Sequence, residues 1–307
     1  MSTQTNRAAM LLLARRARAY FAPVNRGSGA AAALDAAAVA SFAVDAPPAP
    51  WTDLGWIRNL KRTAGTRIEA VRAGARGAAL AQFRAALDAR VEFDFAEWGK
   101  LQMALACGGE QQNALAGAAV TVLAGPTASE LLLEGEHGFQ NGDLIAVDVD
   151  YSGQTGYIGT GVAAAYVKTA VTGDPDLVRR MTLNVARVMN VTGTTVGLQQ
   201  PLAGGAPATG ARAQKVTAFM EREGGSFFQE WSALFVIESE SGGRLAINYP
   251  RLQVAAPAQD AAFEIGESLE AMMLHASFIA LPHADARDGE PVLCYRVWAP
   301  AAGSAVY

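Results

Sequence analysis

The sequence predicts a mainly β (α+β) chain, a β-sandwich or barrel with one flanking helix and a second, small β domain set into it. Three observations carry this expectation. Strict period-two alternation runs from Gln82 to Phe95, helical spacing follows it directly, and the middle of the chain shows turn signals about every ten residues between short apolar runs. The 307 residues are 51% hydrophobic and 18% charged, which excludes a disordered chain and leaves ample material for a core. About one residue in five is alanine, so much of the apolar fraction is small side chains.

Residues 1–50 read as an N-terminal arm or linker. Gly27-Ser28-Gly29, an alanine-rich stretch and Pro47-Pro48-Ala49-Pro50 lie within 22–50, and the prolines stiffen the chain towards polyproline II. Trp51 and Trp56 follow at once, so the arm leads into something packed. Arg7 precedes the apolar run Ala8–Ala14, but Arg15, Arg16 and Arg18 come next with no small-residue cleavage site, which argues against a signal peptide. No stretch reaches the roughly 18 apolar residues of a membrane span.

Residues 51–125 form the first half of the main β domain. Between Gln82 and Phe95 the odd positions are Phe83, Ala85, Leu87, Ala89, Val91, Phe93 and Phe95, whereas the even ones include Arg84, Asp88, Arg90, Glu92 and Asp94. Alternation of this kind defines a strand with one apolar and one wet face, spanning roughly 45 Å at about 3.3 Å per residue. Trp98, Leu101, Gln102 and Leu105 then recur at helical spacing up to Gly108-Gly109, a helix stop. Residues 126–215 hold Gly-rich turns such as Asn141-Gly142-Asp143 and Thr192-Gly193 between the runs Leu144–Val149, Ala163–Val171 and Met181–Val191. They predict an inserted β-barrel or sandwich. Residues 216–307 return to the main domain, with strands at Phe227–Ile237, Arg244–Tyr249, Leu269–Leu281 and Pro291–Trp298 and a hairpin turn at Glu240–Gly243.

Sites for chemistry are scarce. Cys107 and Cys294 form neither a disulfide framework nor a zinc pair, and His137, His275 and His283 have no metal-site spacing. His275 reads as a hydrogen-bonded structural histidine. Gly159–Ala164 imitates a dinucleotide-binding turn but lacks the following helix and the acid about twenty residues on. Asp148 and Asp150 copy the opening of a calcium loop whose twelfth position, Gly159, cannot supply the closing carboxylate. They are the only metal candidates, and they are weak ones. No cofactor and no enzymatic activity are expected. Nucleic-acid binding is also disfavoured, because the basic residues of 58–90 are spread out and mixed with acids on the long strand.

Charge is polarised along the chain: +5 over residues 1–125, −2 over 126–215 and −7 over 216–307. A subunit of this kind can stack head to tail on copies of itself.

Several segments resemble the phage major tail (tail tube) protein family. They are Asp53–Ile57 with the basic Arg58–Arg62, the strand ending Val91–Phe95, the helix Glu97–Ala106, Phe227–Phe235, the Ser241–Gly243 turn and Tyr249–Arg251. The resemblance covers residues 50–125 and 216–300. It implies a tail-tube-like β-sandwich or barrel without catalytic residues, assembled as homohexameric rings that stack into a tube, as in contractile injection systems. It also implies location in the virion tail after synthesis in the host cytoplasm, with DNA passing through the lumen unbound. Sheath, baseplate and terminator proteins would be the further partners.

On that expectation Arg84, Asp88, Arg90, Glu92 and Asp94 line the lumen or join subunits within a ring. Arg58, Lys61 and Arg62 would meet the acidic part of the next ring. The 126–215 insert departs from the minimal pattern and would decorate the outside. The alternative is a baseplate, tail-terminator or host-surface-binding tail protein, or the inner tube of a contractile injection system.

Overall fold

The computed structural model describes residues 14–24, 31–48, 50–73, 78–108, 110–148, 184–202, 205–222, 230–255 and 274–301. In chain order these form β1 (Ala14–Pro23), β2 (Thr52–Ala73), β3 (Ala78–Phe95), α1 (Lys100–Cys107), β4 (Glu110–Thr121), β5 (Glu130–Leu132), β6 (Leu144–Asp148), β7 (Val185–Thr192) and β8 (Thr195–Leu198). There follow β9 (Arg212–Arg222), β10 (Trp231–Ser239), β11 (Arg244–Val254), β12 (Leu274–Ala280), the two-residue β13 (His283–Ala284) and β14 (Pro291–Val292), and β15 (Tyr295–Ala299). The chain is mainly β, with one short α-helix among the described residues.

The first sheet closes on itself. Its order is β10-β1-β2-β3-β12-β11, and β11 returns to pair with β10, so six antiparallel strands form a barrel. β15 lies along Arg244–Asn248 of β11 as a seventh strand. Alternation governs what fills the barrel. Phe21, Phe93, Phe95, Phe235 and Phe278 are fully buried, with Phe93 edge-on to Phe95 at 4.9 Å and stacked on Phe278 at 5.8 Å. Such pairs add to the stabilisation from buried area alone. On α1, Leu101, Leu105 and Ala106 join this core, and Gln102 donates to the Leu54 carbonyl. The helix stops at Gly108, whose φ of +68° suits glycine.

Composition reads 1–50 as an arm or linker leading into something packed, and the structure shows how its described part is built in. Ala14–Pro23 is a barrel strand between β10 and β2. Residues 31–48 pack against the first core through Ala32, Val39 and Phe42, with Phe42 edge-on to Tyr20 at 5.0 Å. Ser232 Oγ accepts from the Ala32 amide and donates to the Pro250 carbonyl, while the Tyr20 hydroxyl donates to the Val44 carbonyl. Proline and alanine read as a linker because they carry no periodicity, but small side chains also let a strap lie close on a sheet.

A second sheet, β4-β9-β6-β7-β8-β5, is closed by the Val122–Leu133 bridge. Its core is aliphatic, built on Val122, Leu131, Leu133, Ile145, Val147, Val188, Val196 and Leu198. The ladder runs from Glu110 to Arg222, beyond the 126–215 boundaries on both sides, because β4 and β9 pair along their length. The predicted strand Ala163–Val171, the Gly159–Ala164 turn and Asp150 lie outside the described residues, as do the opening parts of the strands expected from Phe227 and Leu269.

Candidate assembly surface

The β2–β3 hairpin is far longer than the barrel that holds it. β2 pairs with β1 only over Thr52–Ile57, and β3 pairs with β12 only over Arg90–Phe95. From Ala64 opposite Ala89 onward the two strands pair, among the described residues, only with each other, as far as Ala73 opposite Ala78. Among the described residues this leaves a two-stranded arm of about 33 Å, at about 3.3 Å per residue for residues 64–73. All of residues 61–67 are exposed, on both faces of the strand.

Where β3 is still within the barrel, its alternation separates core from water. Ala89, Val91, Phe93 and Phe95 are buried, whereas Asp88 and Arg90 are exposed and Glu92 and Asp94 half-buried. The structure therefore places Asp88, Arg90, Glu92 and Asp94 on the outer, wet face of the strand. Arg84 pairs through its backbone with Ile68 on the arm.

The two groups expected at separate interfaces share one ladder. Arg58 pairs with Asp94, Lys61 with Glu92 and Arg62 with Val91. Lys61 Nζ and Arg90 Nη1 each lie 3.8 Å from the Glu92 carboxylate. Arg58 is exposed. Arg62 instead approaches the buried Tyr249 hydroxyl, whose pKa is pushed up to about 12 by burial, with the Arg62 charge acting in the opposite direction. It contributes to its own subunit's packing as well as to the surface.

At the root of the arm, Asp94 joins three strands. Its Oδ1 lies 2.8 Å from His275 Nδ1 on β12, and its Oδ2 accepts from Asn59 Nδ2 on β2 at 2.6 Å. Asn59 has φ +54° and sits where the β2–β3 register shifts between Arg58 and Lys61. Sequence reasoning singled out Asp94 and His275 separately. Neither spacing nor alternation links them to each other or to Asn59, which carried no signal.

On the neighbouring outer face, Arg18 Nε donates to Asp53 Oδ1 at 2.9 Å and Nη1 to Asp45 Oδ1 at 2.5 Å. Arg16 and Arg18 both stack over Trp56, at 4.5 and 4.9 Å from its ring centre. Arg16 also pairs with Glu238. Here the charges are satisfied within the subunit.

Elsewhere, Asp285 is held well below the usual carboxylate range by Arg287, and it accepts from the Tyr295 hydroxyl at 2.9 Å. Asp143 is lowered by Lys215, 2.6 Å away in the second barrel. Both are structural locks of turns and ladders. The backbone of Asp148, the described member of the weak metal pair, is registered against Arg212 at the end of β6. No group of three or more metal-ligating side chains occurs among the described residues. Among them, too, no helix is long and apolar enough to cross a membrane.

Fold and surface together define a two-barrel β protein with a long hairpin whose far part has two open edges among the described residues. No protein-family model matches the chain, and no curated protein is similar to it in sequence.

Proposed function

We propose that this chain is a structural subunit of tail-tube type, forming homohexameric rings that stack into a conduit for DNA delivery from a virion. The observation that carries the reading is the open-edged arm. A two-stranded ribbon is marginally stable alone, and its unpaired N–H and C=O groups invite another strand. In a ring, the β3 edge of one arm meets the β2 edge of the next copy, so each subunit's two open edges are used once. The long strand then lines the hole with its wet face.

That face suits passage without capture. Arg58, Lys61, Arg84 and Arg90 are interleaved with Asp88, Glu92 and Asp94, four cations to three anions. A mixed surface holds few phosphates, because phosphate affinity grows with each uncompensated cation. The +5 and −7 ends of the chain favour heterologous stacking of rings. No side chain in this reading performs chemistry, so the protein acts without catalysis or cofactor. Sheath, baseplate and terminator proteins of the tail are its further partners.

Negative-stain microscopy of the purified protein tests the reading. Rings or tubes with a central hole are expected, and a dispersed monomer at high concentration would overturn it. Rings that never stack would point to the tail-terminator or baseplate role. Reversing Arg58 and Lys61 to glutamate should weaken tube formation, and the defect should shrink as salt screens the repulsion. Arg62 is best left intact in that experiment, because it also serves Tyr249.

A further inference from the structure

The direction in which the arm leaves the barrel has a physical cause at its root. β2 carries one more residue than β3 between the pairs Arg58–Asp94 and Lys61–Glu92, a bulge that bends and twists the strand. Asn59 occupies it at φ +54°, a left-handed conformation that asparagine tolerates better than most residues. Beyond this point β1 no longer supports β2, and a few residues further on β12 no longer supports β3. A bulge at the end of lateral support is a place where a ribbon can pivot.

We propose that Asp94 is a positioning residue that pins this pivot. One carboxylate oxygen holds Asn59, the residue that makes the bulge, and the other holds His275 on β12, which belongs to the barrel. The two bonds point to opposite sides of β3 within the sheet, so swinging the ribbon sideways must break one of them. The Asp94 side chain is only 14% exposed although Asn59 itself is exposed, so the carboxylate is the screened partner of the clip. Lys61, Arg90 and Glu92 are occupied with one another one residue pair further out. The clip therefore fixes the angle at which the free part of β2–β3 is presented.

The test uses the full chain with Cys107 and Cys294 replaced by alanine and spin labels at Thr66→Cys on the arm and Glu240→Cys on the barrel. Both labelled positions are exposed. Labelled chain is diluted in excess unlabelled chain, so that distances are measured within one subunit. The intact clip should give one narrow arm-to-barrel distance. Asp94→Ala should broaden the distribution on the order of twofold, as the ribbon swings about an unpinned bulge. Asn59→Ala is the companion variant, since it removes the bond to Asp94 without the extra backbone freedom that glycine would bring to the bulge. It should broaden the distribution while amide exchange in β10 stays slow. An unchanged width in both variants would overturn the proposal. So would broadening that appears only with loss of β10 protection, because that would mark general unfolding. The measurement concerns a single subunit, so its outcome is independent of whether rings or tubes form.

Discussion

The two halves of the β2–β3 hairpin follow the same construction and meet different surroundings. Near the barrel, Val91, Phe93 and Phe95 lie under neighbouring strands and are fully buried. On the arm, the run Ala64–Arg67 is exposed, and among the described residues β2 there pairs only with β3. The backbone pairing is continuous through both halves, so hydrogen bonding between the two strands does not distinguish them. Lateral support and a covered face do. A strand pattern thus specifies which face wants a partner, and the single subunit supplies that partner for only half of the length.

Four substitutions or conditions would break or sharpen this contrast. The largest effect is expected at Phe93, whose ring touches Phe21, Phe95, Phe235 and Phe278. Phe93→Ala should cost about 3–5 kcal/mol in denaturant unfolding of the subunit. A smaller loss would show the barrel core to be looser than its packing. Arg18→Ala comes next, at roughly 1.5–3 kcal/mol, because it strips charged hydrogen bonds from Asp45 and Asp53. Thermal melts of the variant measure this, and an unchanged melt would place the charged strip outside the stabilised half.

Alkali gives the third test. Burial raises Tyr249 to about 12 and raises Tyr20 as well, whereas an unfolded tyrosine titrates near ~10. The folded state therefore favours the protonated phenol. Its contribution is complete below about pH 10 and is lost as pH rises through the folded value. Melting curves taken across that range should fall, and Tyr249→Phe should flatten the fall. An equally steep fall in the variant would assign the loss to other groups.

The smallest effect is expected on the arm. Ala64→Asp, at an exposed position of β2, should change subunit stability by only ~0.5 kcal/mol or less, as surface substitutions do. A loss comparable with that of Phe93→Ala would show that the arm is packed against its own subunit and would end the contrast.

Much of the architecture is legible before folding. The alternation from Gln82 to Phe95 identifies β3 and, over Asp88–Phe95, separates its core residues from its wet ones, because period two leaves no other arrangement of a half-buried strand. The helical spacing after Phe95 and the stop at Gly108 locate α1. The turn at Glu240–Gly243 joins β10 to β11, with Gly242 at φ +84°. His275, expected as a hydrogen-bonded structural residue, bonds Asp94.

Other parts were not legible. The 31–48 strap has no period to betray its packing, since a single layer of small residues needs only close approach. The second barrel extends past its turn-rich centre because β4 and β9 pair across more than ninety residues of chain, a non-local choice that no local pattern encodes. The Asn59–Asp94–His275 clip joins residues up to 216 positions apart, and only the barrel's strand order brings them together.

The amino-acid sequence alone determined the β class, the helix that follows β3, the inward and outward faces of that strand over Asp88–Phe95 and the polarised charge. These follow from periodicity, turn chemistry and composition, all of which act over a few residues. Tertiary structure decided that both sheets close into barrels and that the N-terminal segment is a strand with a strap. It also decided that, among the described residues, about half of the long hairpin pairs only with itself. Strand order and closure depend on which distant surfaces bury each other best, a competition settled by the whole chain at once.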